Sequence, residues 1–163
     1  MSYPSMQPAA GAQEVTLSLH DGNQRTVHVT EQERPYPKGR LIVSRTDTNG
    51  IITHANEAFI EISGYTRDEL IGQPHNVLRH PDMPHALFQS LWETMAAGKK
   101  WHGYIKNLCK DGSHYWVYAT AVPNVRQGKV IGYASVRREP SRRKIDEAIA
   151  AYKAQRAKEG AAS

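Results

Sequence analysis

The sequence predicts an α+β fold with five antiparallel strands, because two strand patterns near its start and three near its end enclose a group of short helices. The first two patterns, at residues 41–46 and 51–54, flank an Asn-Gly pair, which is a strong hairpin signal. The other three, at 101–109, 114–122 and 130–137, follow in succession, and a longer loop joins the last two. Short connections between consecutive strands require antiparallel pairing, and helices grouped between the strands favour α+β over α/β.

An accessory hairpin is predicted before the main sheet. Residues 15–19 and 27–29 alternate apolar and polar side chains on either side of an Asp-Gly-Asn turn at 21–23. The residues before this hairpin show no periodicity, and the proline-containing stretch after it indicates a linker. We therefore expect a disordered N-terminus at 1–14, a hairpin and linker at 15–38, the main domain at 39–140, and a helix and tail at 141–163.

Three short helices are predicted between the two groups of strands. Residues 58–65 carry apolar side chains at helical spacing, and Thr66 and Glu69 have the spacing of a capping box that begins a second helix. A third helix follows the central loop, with Asp82 or Met83 as its predicted N-terminal cap.

A C-terminal helix is predicted from an apolar stripe of Ile145, Ala148, Ile149 and Tyr152, and its other face is basic. Such a helix either lies on its own domain or forms a homodimer seam or signalling arm. The stripe is too short to establish a coiled coil, so both alternatives stay open. A homodimer contact through the N-terminal segment is open as well.

Composition and charge exclude several classes of protein. The apolar runs fall short of the ~20 residues of a membrane span, and the N-terminus does not have the pattern of a signal peptide. Cys109 is the single cysteine, which excludes an internal disulfide and favours a reducing, cytoplasmic location. Much of the net charge of +5 lies in a basic run at 137–144, which we interpret as a solvated helix face rather than a nucleic-acid contact.

The central residues 75–84 carry two histidines, an arginine, an aspartate and two prolines. Pro81 and Pro84 prevent a continuous helix here, because proline lacks an N–H and restricts the residue before it. Ordered loops on a scaffold commonly carry binding groups, so this segment is predicted to form one wall of a ligand pocket.

Several short phrases of the sequence match a known family. Ser-Gly-Tyr at 63–65 is common across that family, whereas Arg-His-Pro-Asp-Met-Pro at 79–84 is much more specific. With these phrases and those given next, residues 41–140 resemble a PAS domain, and most closely the FAD-carrying sensory PAS domain of bacterial aerotaxis receptors. The other matches are Ile-Thr-His-Ala-Asn at 52–56, Gly-Gln-Pro-His-Asn at 72–76, Lys-Asn at 106–107, His-Tyr-Trp-Val at 114–117 and Gly-Tyr at 132–133.

This resemblance implies a PAS fold, in which a five-stranded antiparallel sheet has short helices on one face and a flavin between them. It implies FAD as the cofactor, with FMN and haem less favoured. Aerotaxis receptors continue into a membrane anchor and a signalling domain, so this chain is either a free-standing sensor with a partner protein or a fragment. The positions that the resemblance ties to cofactor binding or its readout are Asn56, His75, Arg79, His80, Asp82, Trp101 and Asn107.

The residue chemistry allows such a site. Strand alternation puts the odd-numbered residues of 101–107 on one face, as an apolar slot that ends in the amide of Asn107. A buried amide without a partner costs roughly 1–3 kcal/mol, which either the flavin edge or the neighbouring backbone would offset. Arg79 would bind the diphosphate of the cofactor, form a local salt bridge with Asp82, or do both if Asp82 orients it.

We expect a non-enzymatic sensor of redox state or oxygen supply. Reduction turns flavin N5 from an acceptor into a donor, and the amide of Asn107 can serve either state by reorienting. Two rival interpretations are a haem-binding PAS gas sensor, for which histidine ligands are available, and a cofactor-free PAS interaction module. A cysteine–flavin photosensor is disfavoured because Cys109 lies at a strand end. The sequence shows no glycine-rich phosphate loop or serine elbow that would indicate an enzyme.

Overall fold

The structure is a computed structural model, and it describes residues 3–19 and 22–161. Seven strands, three short or medium helices, one 3₁₀ helix and a long C-terminal helix account for its regular elements in these ranges. In chain order they are β1 (Gln13–Ser18), β2 (Gln24–Val29), β3 (Ile42–Thr46), β4 (Ile52–Ala55), α1 (Glu57–Ser63), α2 (Arg67–Leu70), the 3₁₀ helix (His75–Leu78), α3 (His85–Ala96), β5 (Trp101–Leu108), β6 (His114–Arg126), β7 (Lys129–Arg138) and α4 (Arg142–Ala161).

Five of the strands form one antiparallel sheet in the order β4-β3-β7-β6-β5. The helices between β4 and β5 cover one side of this sheet, which we call the inner face. The main core lies there and includes Phe59, Tyr65, Tyr115 and Val117. The predicted α+β class, with short helices on one face of a five-stranded sheet, is confirmed.

Helices α1 and α2 begin and end where the local sequence predicts. The amide oxygen of Asn56 accepts a hydrogen bond from the backbone N–H of Phe59, and Gly64 ends α1 with a φ of 80°. In α2 the side chain of Thr66 accepts from the Glu69 N–H, while the Glu69 carboxylate accepts from the Thr66 N–H. Both halves of the predicted capping box are therefore present.

Helix α3 begins differently from the prediction. Its N-cap position is Pro84, which has no side-chain capping group, so neither Asp82 nor Met83 is the cap. The predicted cap residue was wrong because the segment 80–84 turns once more before the helix starts, with Met83 N–H bonded to the His80 carbonyl oxygen.

The connection between β6 and β7 is shorter than the loop that the sequence predicted. Both strands continue past Pro123, which pairs with Tyr133, and they meet at a two-residue turn. The turn residues Gln127 and Gly128 both have positive φ values, 51° and 77°, as the tightest hairpins require. The predicted loop at 123–129 was wrong because Pro123 is accommodated within the paired strands and does not end β6.

The two terminal segments lie on the other side of the sheet, the outer face, or at its end. Leu17 and Val27 of the β1–β2 hairpin pack against Leu108, and Ile145 and Ala148 of α4 pack against Trp116. Helix α4 thus lies on its own domain, although Ile149 of the predicted stripe is 45% exposed. No helix within the described ranges is long and apolar enough to cross a membrane.

The N-terminal segment differs from the predicted disorder. From Tyr3 onward it follows the domain surface, and the N–H groups of Gln7 and Ala9 donate to the carbonyl oxygens of Lys110 and Asp111 at 2.9 and 3.0 Å. These contacts explain how a segment without periodicity is ordered. Of the predicted turn at 21–23, residue Asp21 lies outside the described residues.

Candidate cofactor site

The inner face of the sheet has a strip of small side chains running across four strands. Strand pairing places Gly103 beside Ala119 and Ala119 beside Arg137, and in the next row Ala121 lies between Trp101 and Ser135. Ser135 in turn pairs with Ser44 of β3. This small-residue floor consists of Ser44, Gly103, Ala119, Ala121 and Ser135.

Trp101 lies over one end of this floor. A Cβ atom at position 103 would be 2.2 Å from Cη2 of its indole, so only glycine leaves room for the ring. The indole Nε1–H donates to Ser90 Oγ of α3 at 3.3 Å. The gap that the sequence predicts at Gly103 is present, and in this structure the Trp101 ring fills it.

Asn107 and Arg79 lie side by side. Residue 79 pairs with residue 107 in a single antiparallel bridge along β5, and each is only 6% exposed. Residues opposed in such a pair point to the same side of the sheet, so both belong to the inner face. The structure therefore brings together two of the predicted site residues.

The guanidinium of Arg79 is held by α3 rather than by an acid. Its Nη2 lies 2.9 Å from His85 Nδ1, its Cζ lies 4.7 Å from the centre of the Phe88 ring, and its Nε has no hydrogen-bond partner in the described residues. Burial lowers the pKa of Arg79, and Glu159 opposes that shift. The predicted salt bridge between Arg79 and Asp82 is not formed.

His80 and Asp82 belong to a different group, because alternation turns them to the side of Lys106. The Lys106 ammonium lies 2.8 Å from the Asp82 carboxylate, and the ring of His80 meets that of His114 edge-on at 5.9 Å. Burial, with a further contribution from Lys106, lowers the pKa of His80 to about 3, so this imidazole is neutral. We call these four residues the outer cluster.

His75 lies on the inner face with two residues that were not predicted to belong to the site. Its Nε2 is 3.2 Å from Ser44 Oγ and 3.3 Å from Nη1 of Arg137, whose Nη2 donates to Ser44 Oγ at 2.9 Å. Phe59 stacks on the imidazole and lies under the guanidinium, with its ring centre 4.8 Å from Cζ. We call Ser44, His75 and Arg137 the inner cluster.

Arg137 is the least expected member of the inner cluster, because the basic run that contains it was interpreted as a solvated helix face. That interpretation is wrong for Arg137, which is a buried residue of β7. It is 2% exposed, no carboxylate in the described residues forms an ion pair with it, and its Nε has no hydrogen-bond partner there. Burial lowers its pKa only to about 10, so the guanidinium stays charged at neutral pH. Burial and this neighbouring charge lower the pKa of His75 to about 3, which leaves its ring neutral.

Asn56 is a predicted site residue whose side-chain oxygen and amine both bond to the backbone. Its oxygen accepts from the N–H groups of Val43 and Phe59, both at 3.1 Å, and its amine donates to the Leu41 carbonyl oxygen at 2.9 Å. These bonds tie α1 to β3.

Comparisons with known proteins agree with this architecture. Residues 52–137 match the family described as PAS fold. The chain is 51% identical over 124 residues to the aerotaxis receptor of Escherichia coli, a match that covers 76% of this chain and 24% of the receptor. It is 37% identical over 95 residues to the biofilm dispersion protein BdlA of Pseudomonas aeruginosa, which covers 55% of this chain and 22% of that protein.

A solved structure gives the same fold. The light-state LOV domain of the blue-light photoreceptor Aureochrome1 superimposes with a TM-score of 0.60 at 18% identity, over 65% of this chain and 89% of that chain. The chain spans less than a quarter of the two relatives named above. Since the family match extends over more than half of its residues and the fold agrees, this chain belongs to the PAS family.

Proposed function

We propose that this chain is a flavin-binding PAS sensor module that passes redox state or oxygen supply to another signalling element. Its similarity to an aerotaxis receptor supports a sensory role. The observation that carries the proposal is the charged guanidinium of Arg137, which is buried above the small-residue floor without an acid to neutralise it.

A buried charge without a counter-charge is costly, so its presence favours an anionic or electron-rich ligand at the same place. Ser44 and His75 partly satisfy the guanidinium of Arg137, but neither carries a negative charge. A flavin presents ring carbonyl oxygens on one edge and gains negative charge on reduction. Arg137 would bind that edge and would favour the reduced form.

The small-residue floor suits the flat ring of a flavin, because small side chains leave depth above the sheet. The indole of Trp101 now lies over Gly103, within the space that such a ring would take. To admit such a ring, the Trp101 indole would have to move away from Gly103. Its single hydrogen bond, to Ser90, is long enough to be given up at small cost.

Asn107 and Arg79 would hold two further parts of the cofactor. Asn107 offers its amide as an acceptor to reduced N5 and as a donor to oxidised N5. Arg79, beside Asn107, would bind the phosphate part of the cofactor tail. The proposal of FAD rather than FMN follows from the resemblance to aerotaxis receptors. The proposed activity is binding and signalling rather than turnover, in the cytoplasm, with a partner protein or a further domain as the receiver.

The proposal is tested by titrating the apo-protein with FAD and following the quenching of flavin fluorescence. Arg137→Gln should raise the dissociation constant about 10-fold or more, because a charged hydrogen-bonding group in a desolvated pocket is removed. Arg138→Gln is the matched control, since this neighbour is exposed and should bind FAD as the wild type does. Equal affinity in the two variants would exclude the assigned role of Arg137.

One observation favours a second candidate, a cofactor-free interaction module. The Trp101 ring already fills the gap at Gly103 and would close the slot permanently in such a module. The absorption spectrum separates the candidates: bound FAD gives a yellow protein, a haem gives an intense Soret band, and an empty module stays colourless after incubation with either cofactor.

A further inference from the structure

The C-terminal helix α4 reaches across to the segment that carries Arg79. After its apolar contacts with the outer face, Tyr152 donates its hydroxyl to the Tyr104 carbonyl oxygen at 2.6 Å. One turn later, Arg156 donates to the carbonyl oxygen of Asp82. The last contact of α4 is made by Glu159, whose carboxylate bonds to the start of α3.

Glu159 supplies the cap that α3 does not have locally. Its two carboxylate oxygens accept from the backbone N–H groups of His85 and Ala86, each at 2.9 Å. The first N–H groups of a helix have no partner within the helix and carry partial positive charge, so a carboxylate stabilises them. Here the acceptor comes from a residue 74 positions away in the sequence.

The first turn of α3 in turn fixes Arg79. His85 Nδ1 lies 2.9 Å from its Nη2, and the ring of Phe88 lies under its guanidinium. Both residues belong to the turns of α3 that the carboxylate of Glu159 holds in place. The geometry thus forms a continuous series of contacts from α4 through α3 to the guanidinium beside Asn107.

The last turns of α4 depend on these polar contacts. Beyond Tyr152 the helix carries Lys153, Gln155, Arg156 and Lys158, and the buried apolar residues of its face end at Ala148. A segment held by few apolar contacts opens at low free-energy cost, so the docking of this end responds readily to changes at its contacts.

We infer that Glu159 is a positioning residue of the candidate cofactor site, which acts by capping α3 and so fixing the guanidinium of Arg79. This inference rests on the proposed function. Docking of the last turns of α4 and binding of FAD then favour the same arrangement of α3. Such coupling is reciprocal. Bound FAD must therefore strengthen the docking of α4 by the same factor by which docked α4 raises the affinity for FAD.

The cap itself is tested by hydrogen exchange in this chain without cofactor. Glu159→Ala should accelerate exchange of the His85 and Ala86 amides on the order of 5- to 30-fold, the usual effect of a lost helix cap. Glu159→Gln should lie between this variant and the wild type, because the amide keeps one oxygen acceptor. Glu147→Ala is the matched control, since this exposed glutamate of α4 pairs only with Lys144 among the described residues.

The positioning role is tested with FAD as the probe. Glu159→Ala should raise the dissociation constant of FAD about 5-fold or more, and FAD should slow exchange at residues 153–159 of the wild type by a similar factor. Unchanged exchange at the start of α3 would overturn the cap. Accelerated exchange with unchanged FAD affinity would overturn the positioning role. A wild type that binds no FAD would instead refute the proposed function, and the exchange measured without cofactor would still decide the cap.

Discussion

The inner and outer clusters lie on opposite faces of one sheet, and both surround a buried, neutral histidine whose pKa is lowered to about 3. They differ in how their cation is compensated. In the outer cluster, Lys106 pairs with Asp82 at 2.8 Å, whereas in the inner cluster Arg137 has no acid among the described residues. A cation that is paired with an acid needs no role beyond structure, whereas a buried cation without an acid indicates a ligand site.

The largest expected effect is a loss of folding stability in acid, which tests whether His75 and His80 are both buried as neutral groups. The pKa of a histidine in the unfolded chain is about 6.5, whereas in the folded protein the pKa of His75 and of His80 is lowered to about 3. Between these two pH values the unfolded state therefore binds more protons than the folded state. Stability is therefore lost as the pH falls from about 6.5 toward 3, by about 3 kcal/mol for His75 at pH 4 and in the same direction for His80.

This prediction is checked by urea unfolding of the apo-protein at pH 7, 5.5 and 4. His75→Gln and His80→Gln should each flatten the pH dependence, whereas His54→Gln, at an exposed position, should leave it as in the wild type. A variant of His75 that keeps the full wild-type slope would mean that this imidazole is not a buried neutral group.

The next effect separates the two clusters by the sign of a stability change. Arg137→Met removes an uncompensated buried charge, so we expect the apo-protein to be unchanged or stabilised by about 1–4 kcal/mol, although it binds FAD less well. Lys106→Met leaves Asp82 without its partner and should destabilise by about 0.5–1 kcal/mol, because this pair is partly exposed. Chemical denaturation of both variants measures the difference. Destabilisation by Arg137→Met would make this arginine a structural residue.

The smallest effect concerns two consecutive residues of β5 that lie on opposite faces of the sheet, Asn107 on the inner face and Lys106 in the outer cluster. Asn107→Ala should keep most of the FAD affinity but abolish the difference in α4 hydrogen exchange between oxidised and dithionite-reduced protein, because the reorienting amide is gone. Lys106→Met should preserve that difference. A redox-dependent change that survives in Asn107→Ala would assign the readout to another group.

Much of the fold follows from local sequence because its signals are local. The Asn-Gly hairpin between β3 and β4 and the Thr66–Glu69 capping box depend on contacts within a few residues, and both form as predicted. The β6–β7 turn was not predicted because Gln127 adopts a positive φ, which is uncommon for glutamine. Its conformation is imposed by the paired strands on either side.

The candidate site was harder to predict, because its groups come from distant parts of the chain. The segment 75–84 was found, but which side each residue faces depends on how residue 79 pairs with β5. The inward position of Arg137 could have been predicted, since strand alternation places it on the same face of β7 as Ser135, which is the inner face. Glu159 offered no such signal, because nothing near it in sequence indicates that it meets His85.

The connection between β4 and β5 also contacts both borders of the sheet. At one border the Gly72 N–H donates to the Ile52 carbonyl oxygen and the Ile52 N–H to that of Gln73, and at the other residue 79 pairs with β5. Strands at a border invite pairing with another molecule, and these contacts occupy part of each border, where the Tyr104 carbonyl oxygen on β5 also accepts from Tyr152. A strand added by a receiver of the signal would have to displace them, whereas side chains on the faces and helices of the domain can be read without that cost.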